Sequence, residues 1–339
     1  FAGGKNPPGA GTTSDIYDLD AAVGPQGELR PLYGVQQRVA RFVGEHAWLA
    51  GAERVADFQV GLDYETQRAR KYLNDPTGLQ LPPEAAEGLL YHGVLTSAFC
   101  AGLSPALADL YCDDLLACTG LPLAVVTWDA LAEDVQKRLV RFVRGGGKLL
   151  LVGVLPTMDE NFRPCTILRD LVGCQGQTLW KPALPRLNAF GVENVYVNGG
   201  LWEMTGLPAD AEVIAEEVRQ GRHVIGLRCA VAGGGTIAVL GFQWMHGMHE
   251  HATMIRNGLA HLGLVPQVES SNQNLWTSLR RDGERSMLFV LNLFSSPMEG
   301  EFKFRDGLTG QWVEVGKVSM PPMRVRAWCA GQWYDPVEG

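Results

Sequence analysis

Near its start the chain places Tyr17-Asp18-Leu19-Asp20 after a stretch rich in glycine, proline and threonine. In an extended segment Asp18 and Asp20 share one side, so two carboxylates face the same space. Tyr17 beside them has a flat apolar ring that can stack and a hydroxyl that can hydrogen-bond. The same residues have a second reading, in which Asp15, Asp18 and Asp20 cap and brace a long turn. Spacing alone leaves both open.

Other groupings are less productive. His246-x-x-His249-x-His251 has the density of a metal site, but it lacks a nearby cysteine and the H-E-x-x-H spacing. It reads as solvent-facing histidines at a strand-to-helix junction, and no metal is expected. Gly145-Gly146-Gly147-Lys148 lacks the Ser or Thr of a phosphate-binding loop and follows a helical pattern, which makes it a helix stop. Trp202, Trp244, Trp276 and Trp312 can line a sugar platform or fill a core.

The elements that must position these residues follow from pattern. Pro31 starts a helix on which Leu32, Val35, Val39, Phe42 and Val43 recur at helical spacing. From Val55 strands and helices alternate. Residues 57–62 read as a strand and 83–100 as a helix. Residues 122–128 form a continuous apolar run, which is a strand buried on both faces. Asp129 then caps a helix over 130–144, and 148–153 is the next strand. This is the βαβ grammar of a parallel sheet. Further strands are expected at 195–197, 224–229 and 236–242, and a helix at 251–262. After Pro266 the pattern is purely β: 275–279, 286–293, 301–304, 312–315 and 318–329, with Asp282-Gly283 and Asp306-Gly307 as turns.

The 339 residues are 46% hydrophobic and 19% charged, which is the balance of a globular protein with room for two or three domains. A net charge of −8 without a basic stripe excludes nucleic acid as a partner. Residues 88–108 carry no charge, but Gly93, Gly102 and Pro105 interrupt them; a core helix followed by a strand fits better than a membrane span. Seven cysteines, odd in number and without a C-x-x-C pair, indicate small apolar residues in a reducing, cytoplasmic compartment.

The opening Gly3-Gly4-x-Asn6, then Tyr17-Asp18-Leu19-Asp20-Ala21, then Gly24-Pro25-x-Gly27-Glu28-Leu29-Arg30-Pro31-Leu32-Tyr33, resembles the final β/α unit of family 35 glycoside hydrolases. That family includes β-galactosidases and exo-β-glucosaminidases. The resemblance covers residues 1 to about 45, with Lys5, Leu19 and Ala22 as departures. Leu19 replaces an aromatic that lies close to the bound sugar in the family. The middle of the chain resembles the amidotransferase-like, flavodoxin-type domain of family 42 β-galactosidases and of the exo-β-glucosaminidases. An amidotransferase would need a cysteine in a tight turn after the strand at 148–153. Gly153-Val154-Leu155-Pro156-Thr157 offers leucine, which cannot be a nucleophile.

The resemblance implies an α/β chain in three parts. Residues 1–50 would be the last β/α unit of a TIM barrel whose earlier units lie upstream. Residues 51–265 would be a flavodoxin- or amidotransferase-like domain, and 266–339 a small antiparallel β-sandwich. It also implies the C-terminal part of a retaining, exo-acting β-galactosidase or exo-β-glucosaminidase. Its two catalytic glutamates would lie upstream, and Asn6, Tyr17 and Asp18 would contact the sugar. No cofactor is implied. A homo-oligomer, dimer or trimer, would assemble through the α/β domain. The alternative is a non-catalytic oligomerisation or carbohydrate-binding module of a degenerate glycosidase. A lone β/α unit would leave Phe1, Val35, Val39 and Phe42 as exposed apolar surface.

Overall fold

The computed structural model describes residues 22–24, 27–64, 93–197, 200–218, 223–242, 244 and 249–337. The fold is mixed α/β, mostly strands in several sheets. The chain divides into two compact units, Phe1–Val55 with Val268–Gly339, and Ala56–Gln267.

The first unit begins with helix α1 (Pro31–Glu45), where proline's fixed φ suits the first turn. A 3-10 turn (Ala47–Ala50) and strand β1 (Glu53–Arg54) follow. The second unit runs β2 (Phe58–Leu62), α2 (Thr96–Cys100), β3 (Pro105–Asp109), β4 (Leu123–Thr127), α3 (Glu133–Arg144), β5 (Lys148–Gly153) and α4 (Ile167–Val172). It continues with β6 (Gly176–Trp180), β7 (Arg186–Ala189), β8 (Val192–Tyr196), β9 (Leu201–Thr205), β10 (Glu212–Glu217), β11 (His223–Val231), β12 (Gly235–Leu240) and α5 (His249–His261). The chain then returns to the first unit as β13 (Val268–Ser270), β14 (Leu275–Asp282), β15 (Arg285–Asn292), β16 (Met298–Arg305), β17 (Trp312–Met320), β18 (Arg324–Cys329) and β19 (Gln332–Tyr334).

Nine strands of the second unit form one sheet in the order β3-β2-β4-β5-β12-β11-β10-β7-β8. The first five are parallel and the remaining pairings antiparallel. Alternation along β4 and β5 sends Ala124, Val126, Leu150 and Val152 into a core shared with α2 and α5. It sends Leu123, Val125, Leu149 and Leu151 into a second core under α3. Burial on both faces explains why these strands read as unbroken apolar runs.

Helix α3 buries Val135, Leu139, Val140, Phe142 and Val143, each stabilising by roughly 2 kcal/mol as an upper estimate. It starts three residues later than the pattern suggests, because Ala130 is held in a bridge to Met158. Asp129 is not its cap. The N–H of Glu133 is instead accepted by Glu160, from the loop after β5. Gln136, fully buried, donates to the carbonyls of Leu131 and Met158 and accepts from the N–H of Leu168, tying α3 to α4.

At the far edge Phe190 and Gly191 turn β7 into β8, with φ of 50° and 77°. Phe190 is buried against Gly258 of α5, where a Cβ would stand 2.7 Å from its ring.

In the first unit, β1-β14-β15-β18-β19 and β13-β16-β17 are two sheets sharing one core. Leu275, Leu279, Leu288 and Val290 come from one, and Phe302, Phe304, Val318 and Met320 from the other. The expected strand over 318–329 is two strands. Pro321 and Pro322 cannot donate to a ladder, and Met323 at φ 52° turns the chain between them. On its other face the five-stranded sheet receives α1. Phe42, expected to be exposed, is only 8% accessible and packs with Met287 and Ala327. Val39 does remain exposed, and Phe1 lies outside the described residues.

Candidate functional site

Asn6, Tyr17 and Asp18, the sugar-contacting candidates, lie outside the described residues. Within the described ones, topology singles out the carboxyl edge of the parallel strands. β3 lies on one side of β2 and β4 on the other, so the crossover reverses between them. Open α/β sheets hold ligands outside the carboxyl ends at that point.

The edge carries Asp63 and Tyr64 after β2, Asp109 and Tyr111 at the end of β3, and Asp129 after β4. Several of its polar groups are turned on one another. The Tyr111 hydroxyl donates to the buried Asp63 carboxylate. Asp109 accepts from the N–H groups of Tyr111 (2.8 Å) and Cys112 (3.2 Å), and the Tyr64 hydroxyl donates to it at 3.4 Å. The rings of Tyr64 and Tyr111 lie 4.9 Å apart. Arg138 donates to the carbonyls of Tyr111 (2.8 Å) and Asp113. Beside them is a cleft of about 270 Å³, walled by Cys112, Asp114, Leu116, Arg138 and Arg141.

The turn after β5, where a nucleophile would sit, is closed. Leu155 is fully buried and its N–H is donated to Gln177 at 2.9 Å, so no oxyanion-binding N–H is presented there. Gly153 adopts φ 117°, and a Cβ on it would stand 2.3 Å from the Thr127 carbonyl oxygen. Beyond it Asp159 accepts from the N–H groups of Asn161 and Arg163, knotting the loop on itself.

The remaining candidates sort by burial. His251 does not face solvent. It is 2% accessible, and its Nε2 donates to the Tyr196 carbonyl at 2.7 Å. His246 lies outside the described residues. No cluster of three metal-ligating side chains occurs among the described residues. Trp202 and Trp244 are core residues, whereas Trp276 and Trp312 are half-buried. No disulfide joins the cysteines. Burial pushes the Cys229 thiol up to about 11 and raises those of Cys165 and Cys329. Cys112, expected to be a packing residue, is exposed in the turn after β3. No helix among the described residues is long and apolar enough to cross a membrane.

No local pattern in the sequence marks Asp63, Tyr111 or Gln177. The outer face of β16 does carry a signal, the alternation Glu299-x-Glu301-x-Lys303-x-Arg305.

Known proteins agree with this architecture. Residues 82–202 match the family described as "GLMA-like, second domain". An exo-β-D-glucosaminidase of Thermococcus kodakarensis is 28% identical over 319 residues, covering 90% of this chain and 39% of that protein. A β-1,2-glucosyltransferase of Ignavibacterium album is 23% identical over 305 residues, covering 86% of this chain and 42% of its own length. The chain thus spans about two fifths of these curated relatives. The structure of a β-galactosidase from Rahnella sp. R3 superposes with a TM-score of 0.69 over 91% of this chain and 46% of that one, at 14% identity, so the fold is shared.

Proposed function

We propose that the chain is the C-terminal part of a retaining, exo-acting glycoside hydrolase that removes terminal β-linked glucosamine, with β-galactosides as the less favoured substrate. The observation that carries this is the match to an exo-β-D-glucosaminidase along 90% of the chain. Retaining hydrolysis needs two carboxyl groups about 5 Å apart, one as nucleophile and one as acid and then base. In this reading both are glutamates upstream of Phe1. Residues 1–50 complete a barrel whose C-terminal face holds Asn6, Tyr17 and Asp18 against the sugar.

The second unit is read as a flavodoxin-type domain kept for assembly. Its parallel strands run 2-1-3-4-5 in their own order, as in doubly wound sheets. The closed turn at Leu155 fits a domain without its own nucleophile. Leu107, 57% accessible on edge strand β3, supplies apolar surface for a dimer or trimer. Seven cysteines without a disulfide fit a reducing, cytoplasmic setting.

A second reading, glycosyl transfer, is favoured by the glucosyltransferase relative. The test is to assay the full-length protein on a β-linked glucosamine disaccharide and follow free glucosamine. Steady release is expected, and replacing either upstream glutamate should lower kcat at least 10³-fold, by about 4 kcal/mol. Transfer to an added acceptor sugar without hydrolysis would establish the second reading. No reaction of either kind would leave the non-catalytic module.

A further inference from the structure

One face of the five-stranded sheet in the first unit is covered at one end and bare at the other. Along β15 that face carries Met287, Phe289 and Leu291, and along β18 it carries Ala327 and Val325. Helix α1 lays Phe42 over Met287 and Ala327, which are fully buried. Two residues past Phe289 and Ala327, the partners Leu291 and Val325 are only half-buried. Beyond them the strands end, and Leu293, Phe294 and Met323 are 45%, 43% and 63% accessible.

These three residues belong to two loops, 293–297 and 321–323, that are built as one tip. Asn292, fully buried at the end of β15, donates through Nδ2 to the carbonyls of Ser296 (2.9 Å), Met320 (3.1 Å) and Pro321 (2.9 Å). Its Oδ1 accepts from the N–H of Phe294 at 3.0 Å. The N–H of Met323 donates to the Phe294 carbonyl at 3.1 Å, with Met323 held at φ 52°. A bulky residue in left-handed backbone is costly and persists only where its surroundings impose it. From Leu293 to Met298 and from Met320 to Met323 the sequence has no charged residue. An uncharged tip with three large apolar side chains in water has the composition of an interface core, and its preset shape lowers the ordering cost of docking.

We propose that this tip seats the part of the polypeptide upstream of Phe1. The proposal rests on the reading of the chain as the C-terminal part of a longer enzyme, and adds the surface on which the two parts meet. Two observations choose that occupant over a second copy. The chain covers 39% and 42% of two relatives, so proteins of that length have more polypeptide outside this region than within it. Helix α1, in that reading the last helix of the barrel, lies on the same face of the sheet as Leu291 and Val325. A body that includes α1 therefore approaches the sheet from this side. Leu32, Val39 and Val43 are bare on α1 as well, so helix and tip call for one cover.

The test places benzoylphenylalanine, a photo-reactive aromatic, at Ser295 of the full-length protein. Ser295 is exposed at the rim of the tip, and an unchanged unfolding midpoint checks that the variant is folded. After irradiation and digestion, the linked peptide should join residue 295 to a residue upstream of Phe1 in the same chain. A link to a second chain, or no link upstream of Phe1, overturns the proposal. A second readout uses the unsubstituted full-length protein in dilute peroxide. Met323 should form its sulfoxide about tenfold more slowly than in the urea-unfolded protein, because oxidation follows exposure. Equal rates overturn the proposal, and so does protection that is lost on dilution, which would assign the tip to a second copy. Neither readout depends on turnover. A protein that links and protects the tip but releases no glucosamine overturns the glycosidase reading alone; an active protein whose Met323 reacts freely overturns the seat alone.

Discussion

Two regions of the molecule present carboxylates in opposite ways. At the carboxyl edge of the nine-stranded sheet, Asp63, Asp109 and Asp159 accept from a tyrosine hydroxyl or from backbone N–H groups of the turns they sit in. On the outer face of β16 and β17, Glu301 and Glu314 face solvent beside a cleft. The first set lies where a doubly wound sheet would place a ligand, yet its acceptors are turned inward. The second lies on the back of a small antiparallel sheet and has them to spare. The capacity of a carboxylate to bind depends on what its neighbours have already taken, and position in the fold is a weaker guide.

That contrast can be broken at its strongest point. If the edge is a rigid, self-satisfied structure, Gly153→Ala should destabilise the second unit by about 3 kcal/mol, since the new Cβ meets the Thr127 carbonyl and φ is left-handed. Urea unfolding reads this. A loss under about 1 kcal/mol would mean that the edge yields and has room for a ligand. Next in size, Tyr111→Phe removes the donor to the Asp63 carboxylate and should cost about 1–2 kcal/mol. A neutral result would show that Asp63 is satisfied without Tyr111. Smallest of all, Glu301→Gln/Glu314→Gln should change stability by less than about 0.5 kcal/mol, since both side chains face solvent. A large stability loss would place these glutamates with the structural carboxylates of the edge.

How far these features were legible in the sequence varies with how local their causes are. Strands β4 and β5 and helix α3 are readable because two-sided burial and a 3.6-residue period leave a mark within one segment. Strands β6 and β9 form a two-stranded sheet, and no residue of β6 is fully buried, so neither clear alternation nor an apolar run marks that strand. The cap of α3 misleads for the same reason. Asp129 stands where a local cap belongs, but what reaches Glu133 is Glu160, 27 residues beyond it. Phe42 was expected to be bare because its cover comes from β15 and β18, at the other end of the chain. On β16 the alternation signals exposure. The concavity beside it depends on a bulge in a different strand, β17, which no pattern within β16 records.

Asp57, at the start of the second unit, clamps that unit's two ends and so bears on the order in which the molecule can form. Its carboxylate accepts from the N–H of Gln267 at 2.7 Å and of Ser104 at 2.6 Å. The second unit therefore holds its own first and last residues together. The first unit is split, and its α1 and β1 must wait for strands made only after residue 267. To that waiting segment a folded second unit is a tether of a few residues rather than a free loop of two hundred. Each doubling of a flexible loop costs about 0.6 kcal/mol in closure entropy. During synthesis the inserted unit can thus act as a splint: once it has set, the pairing of β1 with β14 changes from a distant encounter into a nearly local one.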